Sequence, residues 1–327
     1  MTRTLGRSPL LDSRLASASA HAKVILFGEH SVVYGAPAIA LPVPGLSLTA
    51  SARTLPGPVR IESALYSGPI ADAPARLGAP ATAIAETLDA LHRPAADLTV
   101  RIDGSIPAGR GLGSSAAVAS AISAGIAAWA GEALDEQTHF RLIQAAEAVA
   151  HGSASGLDAR AVVADAPIRF RAGRVQTLPV AVPATFVIAD TGVPGATREA
   201  VAAVAELLAR DESGVHGIID GIAAETQGAE QDLAAGDTPS LGRRMTRVHE
   251  LLRELTVSNE RLDRLVDSAL GDGALGAKLT GGGRGGCIIA LAESAASAEL
   301  LAARLTRTGA ANAWIVTAED STDGSAA

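Results

Sequence analysis

The stretch Ile106-Pro107-Ala108-Gly109-Arg110-Gly111-Leu112-Gly113-Ser114-Ser115-Ala116-Ala117 decides how the rest of the chain is read. Three glycines and a proline keep it from starting as a helix. The run of Ala, Val, Ile and Ser that follows, to Ala130, is good helix composition. A glycine loop feeding a helix N-terminus points backbone N–H groups forward at the positive end of the helix dipole. Such a junction suits an anion, and small side chains let a phosphate approach the backbone. Ser114 and Ser115 can cap the helix or bind a cation carried by that phosphate. A tight turn before a serine-capped helix would give the same pattern. The loop is not of Walker type, because it contains no lysine.

Upstream, Leu98-Thr99-Val100-Arg101-Ile102 alternates as a half-buried strand leading into this loop. Earlier still, His21 to Phe27 reads as a strand broken at Gly28, with Glu29 and His30 just beyond it. A turn over Ser31–Gly35 and a strand from Ala38 to Leu48 follow. Residues 1 to about 18 are polar and patternless and read as a frayed terminus.

Downstream, a helix is expected from about Asp135 to Ala150, stopped at Gly152. Glu147 in its last turn opposes the helix dipole by about 0.3–1 kcal/mol. Its apolar neighbours suggest partial burial, which calls for a compensating cation, a side chain or a metal ion; a surface glutamate, the alternative, needs none. Asp158 follows a small-residue turn, where it could cap a short element. A hairpin around Ala172-Gly173, a strand over Phe186–Asp190 and a loop over Thr191–Thr197 come next. Helical patterns then run from Arg198 to about Leu270, with breaks near Asp211–Gly217 and Gly236–Ser240. Strands flank the five-glycine turn of Gly281-Gly282-Gly283-Arg284-Gly285-Gly286, which can bring backbone close to a ligand or another loop. A helix (Ala295–Leu305), a strand (Ala313–Thr317) and a polar tail complete the chain.

Composition narrows the function classes. With 327 residues, 48% hydrophobic and 19% charged, the chain can bury a sizeable core. A net charge of −8 argues against nucleic-acid or anionic-membrane partners. The single cysteine, Cys287, excludes an internal disulfide and fits a reducing cytoplasm. No secretory signal or membrane span is read, so a soluble cytoplasmic protein is expected. The seven histidines lack metal-ligand spacing, so no zinc site is suggested. Of 27 basic residues only Lys23 and Lys278 are lysines. A lysine retained in so arginine-rich a chain is a candidate for a place that needs a compact ammonium.

Three separated stretches resemble, in order, the three motifs of the GHMP small-molecule kinases. They are Lys23 to Gly35, Pro107 to Ala116 and Lys278 to Cys287. Within that family the chain most resembles the mevalonate kinases, through Gly28-Glu29-His30, Lys278-Leu279-Thr280-Gly281 and Asp190 to Arg198. Ser155-Gly156-Leu157-Asp158, with Asp158 eleven residues after Glu147, adds to the likeness. The chain departs from the family at His21-Ala22, often Pro-Gly, at Arg110, often a small residue, and at Gly195, often a basic one.

The resemblance implies an α+β, two-domain fold. The N-terminal domain (19–180) would be ribosomal protein S5 domain 2-like, with a left-handed βαβ crossover, and the C-terminal domain (181–318) ferredoxin-like. A disordered start (1–18) and a polar tail (319–327) would flank them, and ATP and acceptor would bind between the domains. It also implies ATP-dependent phosphorylation of the primary hydroxyl of (R)-mevalonate. Phosphomevalonate, galactose or homoserine are the alternative acceptors, and a catalytically silent nucleotide-binding relative is a further alternative. Pro107, Gly109, Arg110, Gly111, Leu112, Gly113, Ser114 and Ser115 would hold the nucleotide phosphates. Ser115 and Glu147 would bind Mg2+, with Asp158 as base and Lys23 beside it. Glu29, His30, Thr197 and Thr280 would contact the acceptor. The oligomeric state is left open, a homodimer included.

Overall fold

The first strand, β1 (Leu15–Phe27), already departs from the expected frayed start, because it begins at Leu15. Alternating exposed and half-buried positions over Leu15–Ser19, ending at buried Ala20, carry it, a period-2 pattern built mostly of Ala and Ser rather than of large apolar residues. The computed structural model describes residues 15–152, 155–181 and 183–319, so the rest of the polar start and most of the polar tail lie outside the described residues.

In chain order there follow a 3₁₀ turn (Ser31–Tyr34), β2 (Ala38–Pro58), β3 (Arg60–Ser63), β4 (Tyr66–Pro69) and α1 (Gly78–Ala90). Next come β5 (Ala96–Gly104), α2 (Ser114–Ala130), α3 (Glu136–His151), α4 (Leu157–Ala161), β6 (Ile168–Arg171), β7 (Arg174–Thr177) and β8 (Ala184–Asp190). The chain ends with α5 (Thr197–Arg210), α6 (Glu212–Ala235), α7 (Thr238–Glu254), α8 (Glu260–Gly271), β9 (Gly276–Thr280), β10 (Cys287–Leu291), α9 (Ala295–Thr308) and β11 (Asn312–Ala318). Among the described residues no helix is long and apolar enough to cross a membrane.

Two compact units emerge. The first takes residues up to Ala20, Leu48–Gly104 and Val118–Gly152. Its strands run β4-β3-β5-β2, with β3 parallel to β5 and α1 in the connection between them. In it Asp135 caps α3, accepting the Thr138 N–H at 2.8 Å, and Gly152 ends the helix with φ +83.

The second unit takes His21–Ser47, Ser105–Ala117 and the chain from Ser153 onward. In it β2 pairs with β6, and β6 with β7 through a two-residue turn. Ala172 and Gly173 both have positive φ there, the turn that suits the strand twist. A four-stranded sheet of order β11-β8-β10-β9, all antiparallel, carries the helices between β8 and β9 and between β10 and β11. That β-α-β-β-α-β order is the ferredoxin-like arrangement. Its core joins Phe186 and Ile188 of β8, Leu252 of α7, Ile289 of β10 and Leu305 of α9 to Val24 and Leu26 of β1.

Two helix boundaries differ from expectation. Asp211 accepts the Gly214 N–H at 2.9 Å, so α6 resumes at Glu212 and the expected break shrinks to one residue. A break at Leu255–Asn259, unread in the sequence, separates α7 from α8. Leu255 and Val257 are buried and continue the apolar pattern, while Thr256, at φ +61, turns the chain.

Buried His249 of α7 braces β9: its Nδ1 accepts the Leu279 N–H at 3.3 Å, and its Nε2 lies 3.2 Å from Asp263 Oδ1. Burial holds the imidazole down to about 4; Asp263 opposes that shift, while Lys278 and Arg253 add to it. The folded value lies below the unfolded one of about 6.5, so the stabilisation is present above pH 6.5 and is lost as pH falls toward 4. We expect the wild type to lose roughly 2–3 kcal/mol over that window by this group. His249→Gln should flatten that part of the profile, read as urea midpoints between pH 4 and 7.

Candidate active site

The glycine loop enters α2 with Gly109, Gly111 and Gly113 all at positive φ, +70, +78 and +70. Leu112, fully buried in the core of the second unit, pins the loop from below. The first helical bond of α2 runs from Ala117 N–H to Gly113 O at 2.9 Å, so Ser114 and Ser115 form its N-terminal end. Pro107 and Gly109 lie before it on the same loop, where Gly109 O accepts the Gly195 N–H at 2.8 Å.

The first motif runs alongside this loop. Lys23 of β1 donates its backbone N–H to Leu112 O at 3.0 Å, and its Nζ donates to Gly111 O at 3.2 Å. The same ammonium meets Asp158 Oδ1 at 2.8 Å, with Lys23 2% and Asp158 33% exposed. Asp158 does not cap α4: Gly156, at φ +91, holds the N-cap position, and the Asp158 side chain turns to Lys23 instead. Thus a buried ammonium touches both the loop and a partly open carboxylate.

Arg110, the departure from the family pattern, faces the 190–197 loop. Its Nε lies 3.0 Å from buried Asp190 and its Nη2 donates to Gly192 O at 3.1 Å. The five-glycine turn packs backbone to backbone on the same loops. Gly286 N–H donates to Val193 O at 2.8 Å, and Ala196 N–H to Gly283 O at 3.2 Å. A Cβ on Gly286 would lie 2.9 Å from Arg110 O, so only glycine allows that approach.

Of the residues expected at the acceptor, Thr280 is buried and donates its hydroxyl to Ile25 O at 2.8 Å. Thr197 is exposed at the start of α5. His30 is buried, with Nε2 3.0 Å from Gly282 O; burial lowers its pKa, the carbonyl opposing. Glu29 is ion-paired to Lys278, both side chains fully enclosed. Burial pushes the Glu29 carboxyl up and the Lys278 ammonium down, each opposed by its partner.

The second unit thus brings together Lys23, Asp158, the 107–115 loop, Glu29, His30, Thr197 and Thr280. Glu147 belongs to the first unit, in the last turns of α3, 2% exposed and 3.9 Å from the His151 Nε2. The sequence predicts no role for Lys278 or Asp190: the scarcity of lysine singles out the first, and the second stands out only as the start of the family-like stretch Asp190 to Arg198.

Comparisons with known proteins show the family. The model of the GHMP kinases N-terminal domain matches residues 80–165, and that of the GHMP kinases C-terminal region matches residues 229–311. A mevalonate kinase from Aeropyrum pernix is 33% identical over 291 residues, 85% of this chain and 89% of that protein. One from Methanothermobacter thermautotrophicus is 34% identical over 288 residues, 84% of this chain and 89% of its own. Among solved structures, L. major mevalonate kinase in complex with R-mevalonate matches with a TM-score of 0.82 at 26% identity. That match covers 95% of this chain and 98% of that one. Motif order, loop geometry and relatives converge, and the chain belongs to the mevalonate kinases of the GHMP kinase family.

Proposed function

We propose that this chain transfers the γ-phosphoryl group of ATP to the primary hydroxyl of (R)-mevalonate, giving 5-phosphomevalonate and ADP. The observation that carries the reading is the Lys23 ammonium, which is 2.8 Å from Asp158 Oδ1 and 3.2 Å from Gly111 O. One cation therefore links the loop suited to phosphate with the carboxylate suited to a hydroxyl proton.

The phosphates lie against the amides of the 109–115 loop, at the positive end of α2. Asp158 accepts the proton of the acceptor hydroxyl as its oxygen bonds to the γ-phosphorus, and the bond to the β-phosphate bridging oxygen breaks to release ADP. Lys23 orients Asp158 and offsets the negative charge gathered around the transferred group. Because the transition state is loose, this positioning and charge matter more than base strength.

Each donor is of the type magnesium takes: the Ser115 hydroxyl of the second unit is a hard oxygen, and so is the nearly enclosed Glu147 carboxylate of the first. The ion usually keeps several waters and takes one or two protein oxygens, so no larger acidic cluster is needed. Held by these residues, the ion would supply positive charge to the phosphates during transfer. We place the reaction in the cytoplasm; the one cysteine, buried in β10 with its thiol pKa raised by burial, needs no oxidising compartment.

The test is turnover of purified protein with Mg-ATP and (R)-mevalonate, against phosphomevalonate, galactose and homoserine. Mevalonate is expected to be the preferred acceptor by kcat/KM. ATP binding without transfer to any of the four, or preference for another, would overturn the reading.

A further inference from the structure

Both lysines of this arginine-rich chain are buried in ion pairs, and the mechanism above uses only Lys23. Lys278 sits on β9 with no exposed side-chain surface, donating to the Glu29 carboxylate and, at 2.8 Å, to its neighbour's carbonyl, Leu279 O. The second carboxylate oxygen, Glu29 Oε2, is buried with no hydrogen-bond partner among the described residues. A carboxylate half unsatisfied and out of water depends chiefly on the cation bonded to it, Lys278, with the charge of Lys23 a lesser support.

What this pair holds is the chain just after Gly28. His30 has φ +59 and ψ −45, a sparsely populated backbone conformation that neighbouring contacts must enforce. Its ring reaches Gly282 O of the third-motif turn at 3.0 Å, two residues beyond β9. The Glu29–His30 segment is therefore tied to the third motif twice, by the ion pair at Lys278 and by the ring at Gly282. The phosphate loop has hydrogen-bonded anchors of its own, Lys23 to Leu112 and Gly111, Arg110 to Asp190, and Gly195 to Gly109, while the five-glycine turn only packs on it, at Gly111 and Arg110.

We propose that Lys278 is a positioning residue for the acceptor: through Glu29 it fixes the Glu29–His30 segment against β9, and so sets mevalonate affinity without touching nucleotide binding. This rests on the function proposed above and on the acceptor contact that the family resemblance implies for Glu29 and His30. A buried pair kept only for packing would be replaceable, because exchanging both charges for neutral groups of similar shape is often tolerated by stability.

The experiment is the double variant Glu29→Gln/Lys278→Met, assayed for KM of each substrate beside its thermal midpoint. The expected result is a folded protein whose mevalonate KM rises at least ~10-fold while its ATP KM changes less than ~2-fold. A folded double variant with unchanged mevalonate KM overturns the proposal, as does an equal rise in both constants. Should the double variant not fold, Glu29→Asp keeps both charges and withdraws the carboxylate by one methylene. It should raise mevalonate KM selectively by a few-fold, and no selective rise would overturn the proposal. Wild-type turnover of mevalonate separates the two levels. If the wild type turns it over and the variants do not discriminate, only the role of Lys278 falls; if the wild type does not, the proposed function falls and takes this inference with it.

Discussion

Lys23→Met and Asp158→Asn should each lower kcat by ~10²–10⁴-fold, the range ascribed to a positioned proton acceptor and its charge partner, while ATP affinity changes little. The two side chains meet at 2.8 Å, and the Lys23 side chain is 2% exposed, so water cannot stand in for its ammonium. Nucleotide affinity should survive because, in the proposed function, the loop amides and the α2 terminus rather than these side chains would make most of the phosphate contacts. Steady-state kcat and a fluorescence titration of nucleotide would separate the effects. A kcat within threefold of wild type in either variant would remove that residue from the mechanism. The double variant should be little worse than the worse single one, since residues acting as a unit are not additive.

Gly113→Ala is expected to reduce kcat by ~10²-fold, although the residue carries no chemistry, because a misplacement of about 1 Å in a catalytic group costs that much. At φ +70, an added Cβ would lie 2.9 Å from Lys23 Cγ, 3.0 Å from its Cε and 3.2 Å from Val162 Cγ1. The backbone strain is about 1–2 kcal/mol, and the crowded Lys23 stem must shift, carrying the ammonium away from Asp158 and Gly111. Gly173→Ala is the control. It has φ +79 in the β6–β7 turn and nothing within 4 Å of its Cβ, so it should lose stability and keep kcat. Equal kcat losses in both variants would show that loop strain in general, not displacement of Lys23, governs the rate.

Much of this was written locally along the chain. Glycine spacing over Gly109–Gly113 and the Ala-rich run after it specify a loop and a helix, because positive φ and helix propensity act within a few residues. Asp135 and Gly152 mark the ends of α3 for the same reason, as Ala172-Gly173 marks a hairpin. The α6 start went unread because a single Asp211 cap outweighs the unfavourable Gly214 and Gly217. The α7–α8 break hid behind buried Leu255 and Val257, which extend the helical pattern across a turn.

Partners are another matter. That Lys278 meets Glu29, 249 positions earlier, and that Asp190 receives Arg110, 80 positions away, depends on how strands from distant parts of the chain are laid together. Residue type made each a candidate for an ion pair; packing chose with whom. The same holds for Asp158, equally able as an isolated aspartate to cap α4, which instead turns to a buried ammonium brought to it by β1. Backbone preferences are short-range and can be read one segment at a time, whereas a buried charge is satisfied by whatever the fold carries to within about 3 Å of it.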